Sequence, residues 1–227
     1  VYDFKKEGAN LKLFDDAIES SGLGGFSNKQ LEKALAGVIA GTSLQMNSRH
    51  MSISGNSTPK DLRTLMQLTY LTFTDITKDQ DEWDNLIKQN QVELAERKIN
   101  PDVAFSDSIT STLYNHNERV APLNDQDLKT ASYDRILAMA KERLANARGW
   151  EFTFIGNFDV DSLKQFAVTY LGSLPAGKKA ETGKRMADIG PGVRVCDFNR
   201  KMETPNATAR IVWTSHKIPY TTEHDIQ

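Results

Sequence analysis

The residues able to do chemistry are few and scattered. Asp15, Asp16 and Glu19 crowd one predicted helical stretch, an arrangement that could supply a general base or a cation site and that otherwise forms a solvated acidic face. His50, His116, His216 and His224 include no i,i+3 or i,i+4 pair, so no two can ligate one metal from a single helix face. Cys196 is the sole cysteine, which excludes an internal disulfide and a cysteine zinc cage. Between Val195 and Asp197 it reads as a buried, inert thiol. Gly22-Leu23-Gly24-Gly25 lacks the spacing of a phosphate-binding loop and reads as a helix-ending turn. Ser20-Ser21 and the serines from Ser52 to Ser57 offer hydroxyls without a G-x-S-x-G elbow, and of the histidines only His50 is near enough in sequence to act as a base.

The elements that must position these groups are legible from periodicity and caps. Leu11 to Glu19 reads as a helix, and Ser27 with Gln30 forms a capping box that starts another. Leu44, Met46, Met51 and Ile53 at period two give a strand pair or one bent strand over Thr42–Asn56. Leu62, Leu65, Met66, Thr69 and Phe73 share a helical stripe beginning at Thr58-Pro59, and Trp83, Ile87 and Leu94 lie on a helix over Gln80–Arg97. Asn100-Pro101 caps a third long helix, and Tyr133 to Leu144 a fourth. Trp150–Ile155 alternates as a strand, and Gly156-Asn157-Phe158-Asp159 turns it into a helix with Leu163, Phe166, Ala167 and Tyr170 inside. The pattern is α+β, an antiparallel sheet packed with several long helices. Residues 1–175 read as one domain, 176–192 as a linker, and 193–227 as the opening strands of a following, truncated domain, so the chain reads as a fragment of a longer protein.

Composition narrows the function classes. The 227 residues carry 28 Lys+Arg against 30 Asp+Glu, a net charge of −2 that gives no electrostatic surplus for nucleic-acid binding. With 39% hydrophobic residues the chain can build a core, and no apolar run reaches the roughly 18 residues of a membrane span.

One ordered set of segments resembles a known family. Arg143-Leu144-Ala145-Asn146-Ala147, then Phe152-Thr153-Phe154-Ile155-Gly156-Asn157-Phe158-Asp159, then Tyr170-Leu171-Gly172-Ser173-Leu174-Pro175 are similar to the helix, strand, G-[DN]-x-D turn and Y-[FL]-G-x-L-P segment of pitrilysin- and insulysin-type zinc metallopeptidases, the inverzincins. Gly22 to Leu31, the strand pair over Thr42–Gly55, and Leu86 to Pro101 with Glu93 resemble further segments in the same order. Aligned on these, the family's H-x-x-E-H helix falls on Leu13-Phe14-Asp15-Asp16-Ala17. Leu13 and Ala17 stand where the metal-binding histidines would be, Asp16 where the general base would be, and Glu93 near the third ligand. One carboxylate cannot hold a catalytic zinc, which needs about three protein ligands.

The resemblance therefore implies a non-catalytic domain from the C-terminal half of such a peptidase, with no catalytic residue, metal ligand or cofactor of its own and inactive alone. Zinc is expected in the catalytic domain of the parent. The implied partners are the other domains of the polypeptide and a peptide or unfolded protein enclosed between them; a homodimer of the fragment is left open, and no nucleic acid or membrane span is implied. The strand matching the family's peptide-pairing edge is Ser43-Leu44-Gln45-Met46-Asn47, for which sheet completion is the competing role. Periplasmic or envelope localisation follows by resemblance only. Two other classes stay open: a structural or peptide-binding module of an inactive family member, and an independent hydrolase using Asp15 with Asp16.

Overall fold

In a computed structural model, the described residues are 2–47, 50–177, 187, 189–201, 204 and 206–213. Asp3 accepts the Lys5 N–H and starts α1 (Phe4–Lys12), which ends at Leu13; there the backbone leaves helical geometry for one residue before α2 (Phe14–Glu19) begins. The single helix expected over Leu11–Glu19 is therefore two, because Leu13 serves as the C-cap of one and the N-cap of the other. After α2 the chain forms β1 (Gly22–Leu23), α3 (Asn28–Ala34), β2 (Ala40–Met46), β3 (Met51–Ser57), α4 (Leu62–Thr74) and β4 (Ile76–Thr77). It continues through α5 (Gln80–Ile99), α6 (Pro101–Leu113), α7 (Asp125–Thr130), α8 (Tyr133–Leu144) and α9 (Val160–Phe166), the last followed by a π-helical turn over Ala167–Leu171.

The local chemistry explains most of these boundaries. Ser27 Oγ accepts the Gln30 N–H and Gln30 Oε1 accepts the Ser27 N–H, the expected capping box of α3. Asn100 Oδ1 accepts the N–H groups of Asp102 and Val103, and Pro101 opens α6 where no helical N–H is required. The polar break after α6 runs through Asn115 and His116, both left-handed. The glycine run at 22–25 does more than end a helix: Gly22 and Leu23 pair antiparallel with Thr77 and Ile76. A Cβ on Gly22 would lie 1.8 Å from the Phe26 carbonyl oxygen, so the backbone closes here only without a side chain.

The structure is α+β, as the periodicity indicated. β2 and β3 form an antiparallel hairpin with Ser43 opposite Ser54 and Gln45 opposite Ser52, and the hairpin packs against α4 and α2. The core joins α2 to α8: Leu13, Phe14 and Ala17 meet Ile136, Met139, Ala140 and Leu144, all fully buried, with Leu44, Phe73 and Trp83 around them.

Three expectations fail for one physical reason, the lack of a neighbouring strand. Trp150–Ile155 is extended and keeps its alternation, with Trp150, Phe152 and Phe154 half-buried and Glu151, Thr153 and Ile155 exposed, yet it pairs with nothing among the described residues. Val193–Asn199 and the described part of 207–214 likewise form no strand. The first of these runs beside α6 instead: Gly190 N–H and Arg194 Nη1 both donate to the Leu113 carbonyl, and Phe198 meets Phe105 at 5.8 Å between centroids. Cys196, expected buried inside a strand, is consequently exposed. Most of the proposed linker, together with His216 and His224, lies outside the described residues.

One buried hydroxyl ties the helices together. Tyr133 Oη accepts the Asp79 N–H at 3.1 Å and shares a 2.8 Å hydrogen bond with Ser21 Oγ, while its ring stacks on Trp83 at 4.9 Å. Asp79 in turn accepts the N–H groups of Asn28 and Glu82, starting α5 and holding α3. Replacing Tyr133 by Phe strands the buried Asp79 N–H. The Tyr133→Phe protein should lose about 1–3 kcal/mol in urea unfolding with an unchanged m-value; a midpoint equal to that of the parent would show that this hydroxyl is not a structural tie.

Candidate functional site

The candidate site is built on α2, which turns opposite faces to the core and to α5. Leu13, Phe14 and Ala17 are 0% exposed, packed on α8, whereas Asp16 and Glu19 face outward. The spacing itself causes this division: positions 13, 14, 17 and 18 are apolar and fall on one helical stripe, leaving 15, 16 and 19 to the other side. A side chain at 13 or 17 is thus committed to hydrophobic packing. No metal ligand is available from either position.

Asp16 and Glu93 do converge. Partial desolvation pushes the Asp16 carboxyl above the usual carboxylate range even though the residue is exposed overall, and the nearby charge of Glu93, from α5, adds to the rise. Two carboxylates without a third donor are not a cation site, and among the described residues no group of three or more His, Cys, Asp and Glu side chains could hold a metal ion. Among the described residues, this place offers no complete ligand set for zinc. His50 is engaged with Asn47 and His116 with Ser111, far apart in the chain from this pair.

Asp15 has a role that its place in an acidic cluster does not reveal. Its Oδ1 accepts the Met46 N–H at 2.7 Å, linking α2 to the end of β2. Burial raises the Asp15 carboxyl; the Met46 N–H pulls the other way, and the charges of Asp16 and Glu19 add to the rise. The only sequence signal for this bond was the crowding of acids, which pointed to chemistry rather than to sheet anchoring.

The strand singled out as a peptide contact is β2, with Asn47 just beyond its end. Asn47 donates its N–H to the His50 carbonyl and Thr58 donates to Ile39, so by antiparallel alternation Ser43 and Gln45 also turn their backbone groups toward β3. Leu44 and Met46 turn theirs to the other edge. There the Met46 N–H is already taken by Asp15, and the Leu44 side chain is buried in the core at 3% exposure.

Asp16 yields a signed pH prediction. Its folded pKa lies above the ordinary value of 3.8, so between the two the folded state binds more protons than the unfolded state and stability falls as pH rises. Asp16→Asn removes the buried part of that charge. It should raise Tm by at most a few degrees at pH 7, because exposure screens the effect, and the gain should vanish as the pH falls toward the ordinary carboxylate value. Equal Tm gains at both ends of a pH series of thermal melts would assign the effect to something other than ionisation.

No protein-family model matches the chain, and no curated protein matches it. Solved structures do. The periplasmic protease PqqL from Escherichia coli superposes with a TM-score of 0.68 at 18% identity, over 83% of this chain and 21% of that one. A variant of the ferredoxin protease FusC, in complex with Arabidopsis ferredoxin, gives a TM-score of 0.60 at 18% identity, over 78% of this chain and 20% of that one. The chain spans about a fifth of the length of each. Its described residues include no helix long and apolar enough to cross a membrane. The superpositions show that the chain shares the α+β fold of the matching parts of these two proteases.

Proposed function

We propose that this chain is a non-catalytic domain of a zinc-dependent metalloendopeptidase, helping to wall the chamber that encloses a peptide substrate. The observation that carries the reading is the state of α2: the helix in the place of H-x-x-E-H buries Leu13 and Ala17 completely and leaves only Asp16 beside Glu93. A fold of this type whose described residues gather no set of metal donors is suited to architecture and enclosure. Zinc then belongs to another domain of the same polypeptide, whose other domains and bound peptide are the partners. Residues 193–227 would lead into the following domain. A periplasmic or envelope location is consistent with the description of PqqL as a periplasmic protease.

For β2, the closed Met46 amide favours sheet completion over pairing with a peptide. A second reading, a structural or peptide-binding module in a parent that lacks zinc altogether, differs only in what the rest of the polypeptide carries. The hydrolase built on Asp15 and Asp16 is disfavoured, since Asp15 is engaged in holding a backbone amide.

Metal analysis of the purified parent polypeptide, alongside cleavage of a quenched peptide, separates these readings. About one zinc per chain is expected, with activity lost to chelator and both properties unchanged in the Asp16→Asn, Glu93→Gln double variant. Zinc lost in that variant would overturn the non-catalytic assignment. A parent with neither zinc nor activity would move the chain to the binding-module reading.

A further inference from the structure

α3 lies on the body of the protein without entering it. Among the described residues none of its side chains is buried, and Leu31 is only half-covered where the helix packs on β1. Phe26 before it and Ile39 after it are both exposed. A seven-residue helix does not persist in water by itself, so its docking must come from contacts other than a core face.

Those contacts are polar, and they reach the ends of two other helices. Asn28 donates its side-chain Nδ2 to the carbonyl of Glu19, the last residue of α2, at 3.1 Å, and its backbone N–H to Oδ2 of Asp79, the N-cap of α5, at 2.9 Å. Lys29 Nζ lies 2.7 Å from Glu82 Oε1 in the first turn of α5. α3 therefore bridges, from one end, the two helices whose carboxylates Asp16 and Glu93 act on each other.

The segment is framed by glycines. Gly25 has a φ of 80° and Gly37 a φ of 81°, and a Cβ at either would meet nothing within 4 Å, so glycine supplies backbone freedom there rather than room. Just outside them the chain is fixed, with the Gly24 N–H donating to the Asp75 carbonyl at 2.9 Å and the Ile39 N–H to the Asp61 carboxylate at 3.1 Å.

We infer that residues 26–36 form a hinged clasp across α2 and α5, fastened in part by charge, which releases while the core stays folded. Released, α3 loses its helix and uncovers the Glu19 carbonyl with the carboxylates of Asp79 and Glu82. The Lys29 side chain is 69% exposed, so dissolved salt reaches its ion pair and weakens the closed state. The device is independent of whether the parent polypeptide carries zinc.

Hydrogen exchange of the full polypeptide in urea below its unfolding midpoint reads the release. The Leu31 and Leu35 amides, which donate within α3 and to its end, should exchange at least about 10-fold faster than the Ile136 amide of α8, and with a small urea dependence because little surface opens with the clasp. The Gly24 and Ile39 amides should not join them. Raising salt from about 0.1 M to 1 M shortens the reach of a charge from about 10 Å to 3 Å and should quicken Leu31 and Leu35 about twofold to fivefold; Lys29→Gln should give that gain at low salt and abolish the further response. A urea dependence at Leu31 and Leu35 equal to that of Ile136 would overturn the inference, since the segment would then leave only when the protein unfolds. So would exchange as fast as in unstructured peptide, which would mean that no closed clasp exists, or release of Gly24 and Ile39 together with α3, which would move the hinges off the glycines. A salt response unchanged in Lys29→Gln would overturn the fastening by charge.

Discussion

The architecture depends on the Tyr133 hydroxyl and the backbone amide of Asp79 that it satisfies. Short helices are marginal alone, and α2 and α3 have six and seven residues. They are held because Ser21, just after α2, bonds the same hydroxyl, while the Asp79 side chain reaches the first amide of α3. Four helices thus meet at one polar node whose donors and acceptors find partners inside the protein, with the Trp83 ring stacked over it to exclude water. A parallel arrangement acts at the C-terminal end of α1, where Lys12 pairs with Asp127 at 2.8 Å and both side chains are about 15% exposed. Such a pair fixes which surfaces meet more than it adds stability.

The same node holds α2 in place whatever its outer face carries. A helix that carries catalytic groups outward needs only its inner face to be anchored, and here that face is Phe14, Ala17 and Ile18 with Leu13 at its start. On the outer face, partial desolvation and then the nearby charge of Glu93 hold the Asp16 carboxyl above the usual carboxylate range.

Long periodic helices were legible because their information is local. The stripe Leu62, Leu65, Met66, Thr69, Phe73, the capping box at Ser27 and Gln30, and the Asn100-Pro101 start each state their element within a few residues. The hairpin was legible for the same reason. The split at Leu13, the pairing of Gly22-Leu23 with Ile76-Thr77, and the bond from Asp15 to Met46 were not, since each is fixed by a partner between 31 and 55 positions away or by the core around it. Trp150–Ile155 keeps the alternation of its sequence without pairing among the described residues, and Val193–Asn199 forms no strand there either. Alternation belongs to the segment; a ladder belongs to two segments.

The Asp15 carboxylate gives the hairpin a direction. Unprotected strand edges recruit other strands, and proteins block them with charge, cover or curvature. Here an acid from a neighbouring helix occupies the Met46 amide on the outer side of β2, while nothing comparable guards β3 among the described residues. Growth of the sheet on the β2 side would require displacing a charge-assisted bond and then leaving a carboxylate beside an incoming carbonyl. Growth on the β3 side meets no such bond among the described residues. The sheet is consequently polar in the sense that a crystal face is polar: a helix side chain terminates it on one side, and among the described residues the other side is open to extension.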